Sequence, residues 1–491
     1  MTPDTSKFRV ATSKRQRKGQ KSVKIIFPAA LYDKISSQFA IFQEKHLEGY
    51  AIALCGTKAD LVEKSQTYMV KKICLPEKND IVEHSSVSVT PSGEFLERTL
   101  AEASASNSAV LEIHTHIDAP TPSFSSVDLE NGMDNGRFLK SCKIRFNMMV
   151  LGSEGFSLLE YDGDSDSLKL PENASLTVMT RQGLKKLMPV NKETETQSIE
   201  GTYDRQVRIW GEESQRRIGE VTAGIVGLGG TGSLVLQMLS RIGVQKFVLI
   251  DPDTIEESNL NRLPYAVTSD IGKKKVKVAA AHLKKVNKNV FTTAVSESVR
   301  DSKEKLKTCN MIFGCVDNDL ARLTLNEVSL RYFIPLIDTG TEIFLSKDKV
   351  EEMGGQVRVI IPSVTGCLEC GGFLDKDQVA ANMLEGDDLK IIKAAGYVRG
   401  TNNTPVPAVM TLNTMIAAMA VQEFVDMATE RERPEYSYLI YNGKAPGIDR
   451  LCLEPCETCP LCGTLGVLGG GDVKKQSKSG LKIIGNDQIS E

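Results

Sequence analysis

Three groups of residues in the 491-residue chain are spaced for chemistry. Near the middle, Gly227-Leu-Gly229-Gly230-Thr-Gly232 follows an apolar run and precedes a helical pattern and a second apolar run that ends at Asp251. Glycines at such a turn let phosphates approach backbone N–H groups at the positive end of a helix, and an acid closing the next strand can accept ribose hydroxyls. In the first half, Glu112-Ile-His114-Thr-His116 closes another apolar run, and Ser123-Phe-Ser125-Ser-Val-Asp128 follows. Strand alternation puts His114 and His116 on one face, so two imidazoles and the Asp128 carboxylate can fill three zinc positions and leave the fourth open. Near the end, Cys367-Leu-Glu-Cys370-Gly and Cys459-Pro-Leu-Cys462-Gly are two C-x-x-C-G knuckles that together can complete a tetrahedral site of four sulfurs. Cys456-Glu-Thr-Cys459 competes for the second knuckle, and Gly463 favours Cys459 with Cys462 because glycine permits a tight turn beneath a metal. Each group has a plainer reading: a nicotinamide-binding turn, surface histidines near a loop acid, and free thiols or a redox pair.

The elements that must position these groups are legible from periodicity. Apolar runs at 50–54, 109–113, 144–151 and 156–160 predict strands of one α/β unit over residues 22–161. Residues 162–200 are polar and poor in aromatics, which reads as a linker with one short helix at 184–187. Residues 201–463 alternate strand, glycine turn, helix and strand, the succession of a doubly wound parallel sheet, with Leu234, Met238, Leu239 and Ile242 facing inward from the helix after the glycines. The basic residues 1–21 and the Gly-, Lys- and Ser-rich residues 464–491 read as flexible ends.

Bulk properties exclude more than they assign. The length calls for at least two domains, and a net charge of −3 gives no field that argues for nucleic acid. No run approaches the roughly 20 apolar residues of a membrane span and no apolar signal core is present, so a cytoplasmic protein is expected. Four of the eleven cysteines crowd into 452–462, which suits metal better than a disulfide framework.

The glycine fingerprint alone favours a nicotinamide-dependent oxidoreductase, but the residues downstream of it exceed what hydride transfer needs and reverse that reading. Ser258-Asn259-Leu-Asn261-Arg262, Asp270-Ile-Gly272-Lys-Lys-Lys275 and Gly314-Cys-Val-Asp317-Asn318-Asp319, with the leader YDRQVRIWG at 203–211, resemble the ubiquitin-activating and ThiF-type adenylyltransferases. The resemblance implies a Rossmann-like ThiF domain in which Gly227, Gly229, Gly230, Gly232, Asp251, Asp253, Asn259 and Asn261 surround the nucleotide. It assigns Arg262 and Lys275 to the triphosphate and Asp317 to Mg2+, and it carries Arg205 across a homodimer to the partner subunit's ATP. It also implies a structural zinc at Cys367, Cys370, Cys459 and Cys462. These residue types suit the reaction, since a carboxylate attacks an anionic α-phosphate only when cations neutralise the growing charge.

HTHIDAPTPSFSSVD resembles the JAB/JAMM metalloprotease motif, with Ile117 where proline is usual and a His116-to-Asp128 stretch one residue longer than the common pattern. That resemblance implies a catalytic zinc on His114, His116 and Asp128, with Ser125 polarising the reaction centre. Glu48 is implied as the proton shuttle, Glu44 being the second choice. Together the halves imply ATP-dependent adenylation of a ubiquitin-like protein's C-terminus, joined to a zinc isopeptidase that trims or deconjugates it. The alternative keeps the adenylyltransferase and makes the first half a non-catalytic docking module. The next partner is a conjugating enzyme or a sulfur carrier. A departure concerns the thioester: 371–451 holds no cysteine, the stretch where several relatives carry theirs offers Thr401 and Thr404, and Cys315 is expected to pack beneath the sheet, so adenylation without a stable thioester is expected.

Overall fold

In the computed structural model, residues 22–472 are described apart from 61–63, 118–120, 154, 188, 190–200, 347–348, 384–406 and 432–434. The expected features at 1–21, at Thr401 and Thr404 and at 473–491 lie outside the described residues.

The first half is one nine-stranded mixed sheet. Its strands are β1 (Ser22–Pro28), β2 (Tyr50–Asp60), β3 (Ser65–Cys74), β6 (Ala109–Thr115), β7 (Phe146–Gly152), β8 (Gly155–Asp162), β9 (Ser167–Lys169), β10 (Asn173–Thr180) and β11 (Gly183–Leu187), while β4 (Ile81–His84) and β5 (Val89–Pro91) form a separate hairpin. The order is β11-β10-β1-β3-β2-β6-β7-β8-β9. Helices α1 (Ala29–Glu44), α2 (Gly93–Ala105) and α3 (Ser126–Ser141) accompany it, and buried residues gather in two clusters, one around Phe27, Ile35, Phe39, Leu111 and Met149 and one around Tyr50, Phe95, Leu139 and Phe146. The strands expected at 50–54, 109–113, 144–151 and 156–160 are present.

The linker reading of 162–200 needs correction. Residues 167–187 supply three strands, β10 pairs in parallel with β1 from Ser22↔Asn173 to Pro28↔Met179, and the short helix expected at 184–187 is strand β11. The alternation in Ala174, Leu176 and Val178, all buried, is the β signal that the surrounding polar residues masked.

The second half is a sheet ordered β14-β13-β12-β15-β16-β17-β18-β19. Strands β12 (Thr222–Val226), β13 (Lys246–Ile250), β14 (Phe291–Val295), β15 (Met311–Gly314) and β16 (Leu336–Ser346) are parallel; β17 (Lys349–Ile360), β18 (Tyr438–Asn442) and β19 (Gly447–Leu451) continue antiparallel. Its helices are α4 (Asp204–Glu220), α5 (Gly230–Ile242), α6 (Lys275–Val286), α7 (Val299–Ser302), α8 (Asp319–Tyr332), α9 (Lys376–Asn382) and α10 (Met410–Ala428). Because the chain winds outward from β12 to β14 and returns to β15 on the other side, the carboxyl ends of β12 and β15 frame the crevice where doubly wound sheets bind ligands.

The halves share apolar surface. Met69 and Met179 are buried in the second half's core, and Ile26 and Leu184 pack against it. Residues 464–472, expected to be part of a flexible tail, lie between the halves instead: Asp472 N donates to Thr57 O (2.8 Å), its carboxylate accepts from Ala59 N (3.1 Å), and Tyr332 OH faces it at 3.3 Å. A Cβ on Gly56 would fall 1.8 Å from Gly469 O, so the glycines read as tail composition serve close backbone approach. No helix among the described residues is long and apolar enough to cross a membrane.

Candidate functional sites

The crevice between the carboxyl ends of β12 and β15 is built from its glycines upward. Gly227 leaves β12 with φ +84°, and a Cβ there would meet Cys315 O at 2.3 Å, so the loops after β12 and β15 touch. A Cβ on Gly232 would meet Gly227 O at 1.9 Å, whereas one on Gly229 would point into open space at the first turn of α5. That is the opening an approaching phosphate needs. Asp251 is buried and anchors the loop: one oxygen accepts from Leu228 N (2.6 Å) and the other from Asp253 N (2.8 Å). Burial pushes its carboxyl above the usual range, and Lys275 pulls it back. Asp253 in turn pairs with Lys275 Nζ (2.8 Å), which is held at the start of α6. Asn259 caps its own short turn by accepting from Glu256 N (3.3 Å). Arg262 donates to Ser258 O (2.5 Å) and Asn261 Oδ1 (3.1 Å), and its Cδ would sit 3.3 Å from a Cβ on Gly230.

Asp317 lies on the loop between β15 and α8, and Asn318 caps α8 by accepting from Ala321 N (2.8 Å). Asp317 offers a hard oxygen donor on the loop after β15, which touches the glycine loop at Gly227, and Mg2+ is typically held by one or two carboxylates together with substrate phosphates. Arg205 stands apart. It is exposed on the first turn of α4, whose Gln206 donates to Ile242 O (2.8 Å) at the far end of α5, about 18 Å of helix away from the glycine loop. Cys315 is partly buried, and burial pushes its thiol up to about 12.

Two residues of this crevice escaped the sequence reading. Asn413, near the start of α10, brings its Nδ2 to 2.1 Å from a Cβ on Gly230 and accepts from Thr341 Oγ1 (3.1 Å). Arg322 reaches back along α8 to donate to Val316 O (3.0 Å). Asn413 is far along the chain from the glycine loop, so no local spacing could have found it.

In the first half, β6 and the start of α3 converge. Antiparallel pairing of Tyr50 with His114 continues past the strand, where Thr115 N donates to Gly49 O (3.1 Å) and Gly49 N to Thr115 Oγ1 (2.9 Å). This register sets Glu48 opposite His116; Glu44 is exposed at the end of α1. Ser125 is the N-cap of α3: its Oγ accepts from Asp128 N (3.1 Å) and its N–H donates to Asp128 Oδ2 (2.6 Å). The hydroxyl assigned to the reaction centre is thus engaged in fixing the turn that carries Asp128.

His114 Nε2 lies 3.3 Å from Asp128 Oδ1, and His116 Nε2 lies 3.2 Å from Asp128 Oδ2. Tetrahedral zinc with N and O ligands at about 2.0–2.1 Å requires ligand atoms roughly 3.3–3.4 Å apart. His114 Nε2 is also buried, and the contact with Asp128 Oδ1 at 3.3 Å falls short of hydrogen-bond geometry, so a metal between the two would satisfy both atoms. Burial alone would raise the Asp128 carboxyl, but the two imidazoles hold it well below the usual range. Burial raises the Glu48 carboxyl, opposed by His116 and His114.

The four knuckle sulfurs also meet, across 92 residues of chain. Cys367–Cys370 and Cys367–Cys459 are 3.7 Å apart and Cys370–Cys462 is 3.2 Å. Zinc–sulfur bonds of about 2.3 Å in a tetrahedron imply roughly 3.8 Å, so these residues fit zinc. Gly371 N donates to Cys367 O (3.2 Å) and Gly463 N to Cys459 O (2.9 Å), and a Cβ on Gly463 would fall 2.3 Å from Glu457 O. Cys456 is exposed and outside the four-sulfur group.

Residues 203–461 match the ThiF family. Ubiquitin-like modifier-activating enzyme 5 of Aedes aegypti is 29% identical over 265 residues, covering 50% of this chain and 59% of that protein. SUMO-activating enzyme subunit 2 of Dictyostelium discoideum is 32% identical over 171 residues, covering 34% and 24%. The chain thus spans less than two thirds of these relatives' length. The crystal structure of E. coli MccB with ATP aligns with 54% of this chain and 75% of that one at a TM-score of 0.43 and 19% identity.

Proposed function

The chain belongs to the ThiF family, and on that premise we propose that its second half adenylates the C-terminal carboxylate of a ubiquitin-like protein with ATP and Mg2+. The observation that carries the reading is the crevice itself: an opening above Gly229 at the start of α5, flanked by Arg262 and by the Lys275–Asp253 pair, with the Asp317 carboxylate on the facing loop. In the reaction the incoming carboxylate oxygen bonds to the α-phosphorus of ATP and the bond to the β-phosphate bridging oxygen breaks, leaving acyl-adenylate and pyrophosphate. Arg262 and Lys275 neutralise charge on the phosphoryl oxygens, Asp317 holds Mg2+, and Asp251, anchored to the glycine loop through Leu228 N, accepts from the ribose hydroxyls. Arg205 serves the partner subunit's ATP in a homodimer, a role supported by its distance from the glycine loop of its own chain. The similarity to a ubiquitin-like modifier-activating enzyme and to a SUMO-activating enzyme subunit supports a ubiquitin-like substrate.

We further propose that the first half is a JAB/JAMM-like zinc peptidase acting on the same ubiquitin-like protein. His114, His116 and Asp128 would hold the metal, which when bound supplies a Lewis acid and a nucleophilic water at neutral pH. Glu48, set opposite His116, moves the proton from water to the leaving amine, and Ser125 orients Asp128. The structural zinc of the four-cysteine group would tie 367–370 to 459–462.

Two measurements test this. Pyrophosphate exchange with candidate ubiquitin-like proteins should depend on Asp317, and an Asp317→Ala chain that still exchanges would disprove its role. Glu48→Gln should retain the first-half zinc while losing cleavage of a ubiquitin-like fusion; a wild-type chain that binds zinc but cleaves no fusion favours a docking module.

A further inference from the structure

A buried chain of charges runs from the Asp317 loop into the sheet. Arg322 donates from Nη2 to Val316 O (3.0 Å), and its Nη1 faces Asp319 Oδ1 at 3.3 Å, so it grips the loop on both sides of Asp317. Behind it, Arg322 Nε stands 3.5 Å from Asp338 Oδ1, too far for a good hydrogen bond, while the other oxygen of this fully buried aspartate accepts from Arg358 Nη1 at 2.6 Å. The Arg358 guanidinium lies 4.1 Å from the Phe373 ring centroid, and Asp319 Oδ2 accepts from Asp375 N (3.3 Å).

Such a buried chain of charges is weak evidence for stability. Buried ion pairs recover their desolvation cost only with full hydrogen bonding, yet Arg322 Nε, Asp338 Oδ1 and Arg358 Nε are all buried without a hydrogen-bond partner. What the chain of charges does accomplish is geometric. It fixes the Val316 carbonyl and the Asp319 carboxylate, on either side of the carboxylate assigned to the metal.

We propose that Arg322, held from behind by Asp338, is a positioning residue that sets Asp317 for the Mg2+ of bound nucleotide; the inference rests on the adenylation reading above. Arg322 acts through the loop that carries Asp317, by way of Val316 O and the Asp319 carboxylate. Removing an outer-shell partner of this kind typically costs roughly ten- to a hundredfold in metal affinity.

The test is calorimetric titration of the full chain with ATP in Mg2+ and with ATP in EDTA. Arg322→Gln should lose the Mg2+-dependent gain in ATP affinity by about tenfold or more while keeping the affinity for metal-free ATP. A parallel fall in both affinities, or no change in either, overturns the proposal, because a residue that merely supports the fold does not distinguish them. If Arg322→Gln fails to fold, Arg322→Lys keeps a cation against Asp338 but cannot grip Val316 O and Asp319 together, and the same comparison decides. Asp317→Ala is the reference: if it leaves the Mg2+-dependent gain intact, the assignment of Asp317 fails and the proposal with it.

Discussion

Gly229 caps α5 and Gly232 lies in its first turn three residues on, and alanine at each should fail differently. At Gly232 a methyl would lie 1.9 Å from Gly227 O, a distance real Cβ atoms do not adopt, so α5 and the β12 loop must part by about 1 Å before it fits. Overpacking of this kind typically costs about 1–3 kcal/mol, and a backbone carbonyl cannot rotate away like a side chain, so Gly232→Ala should lose about 3 kcal/mol. At Gly229 the backbone has φ −73°, and no heavy atom lies within 4 Å of the added methyl, so stability should change by no more than about 0.5 kcal/mol. The Gly229 methyl would occupy the phosphate approach, and ATP affinity should fall at least about tenfold, about 1.4 kcal/mol. Urea denaturation measures the first effect and calorimetric titration with ATP the second. Gly229→Ala binding ATP as tightly as the unsubstituted chain would refute phosphate approach at the start of α5; an undisturbed Gly232→Ala would refute the packing of the loop.

Two further outcomes concern the interface and the knuckles. Lys58 donates to Lys307 O (2.9 Å) between the halves, and burial lowers its ammonium to about 8. The unfolded chain, with an ordinary lysine near 10.5, binds more protons between those values, so this residue's contribution to stability rises as pH climbs from about 8 towards 10.5, by up to about 3 kcal/mol and less where solvent screens it. Lys58→Met should therefore be the more stable chain near pH 7 and lose that advantage by about pH 10; denaturation curves whose difference is flat with pH would contradict the assignment. Cys462→Ala should lose one zinc equivalent by elemental analysis and Cys456→Ala none, and the reverse would move the ligand set to the other C-x-x-C pair.

The short-range part of each site is legible in the sequence. His114 and His116 share a face because a strand repeats every two residues, and Gly227 to Gly232 mark a strand-to-helix turn because only glycine tolerates the φ of +84° at Gly227 and the close approach at Gly232. The knuckles declared themselves by their own spacing. Long-range facts were settled by packing alone: the strand register that puts Glu48 rather than Glu44 opposite His116, the meeting of Cys367 and Cys370 with Cys459 and Cys462, and Asn413 over Gly230. Residues 167–187 and 464–472 were misread for the same reason. Polar and glycine-rich composition reports what a segment could do in isolation, whereas β10 became a strand because β1 offered it an open edge, and 469–471 became ordered because β2 and α8 left room only for backbone. The Arg322–Asp338–Arg358 chain joins three elements, and no sequence spacing relates them. Contacts between near neighbours are encoded by local geometry, and contacts between distant ones exist only once the whole chain has chosen its sheet order.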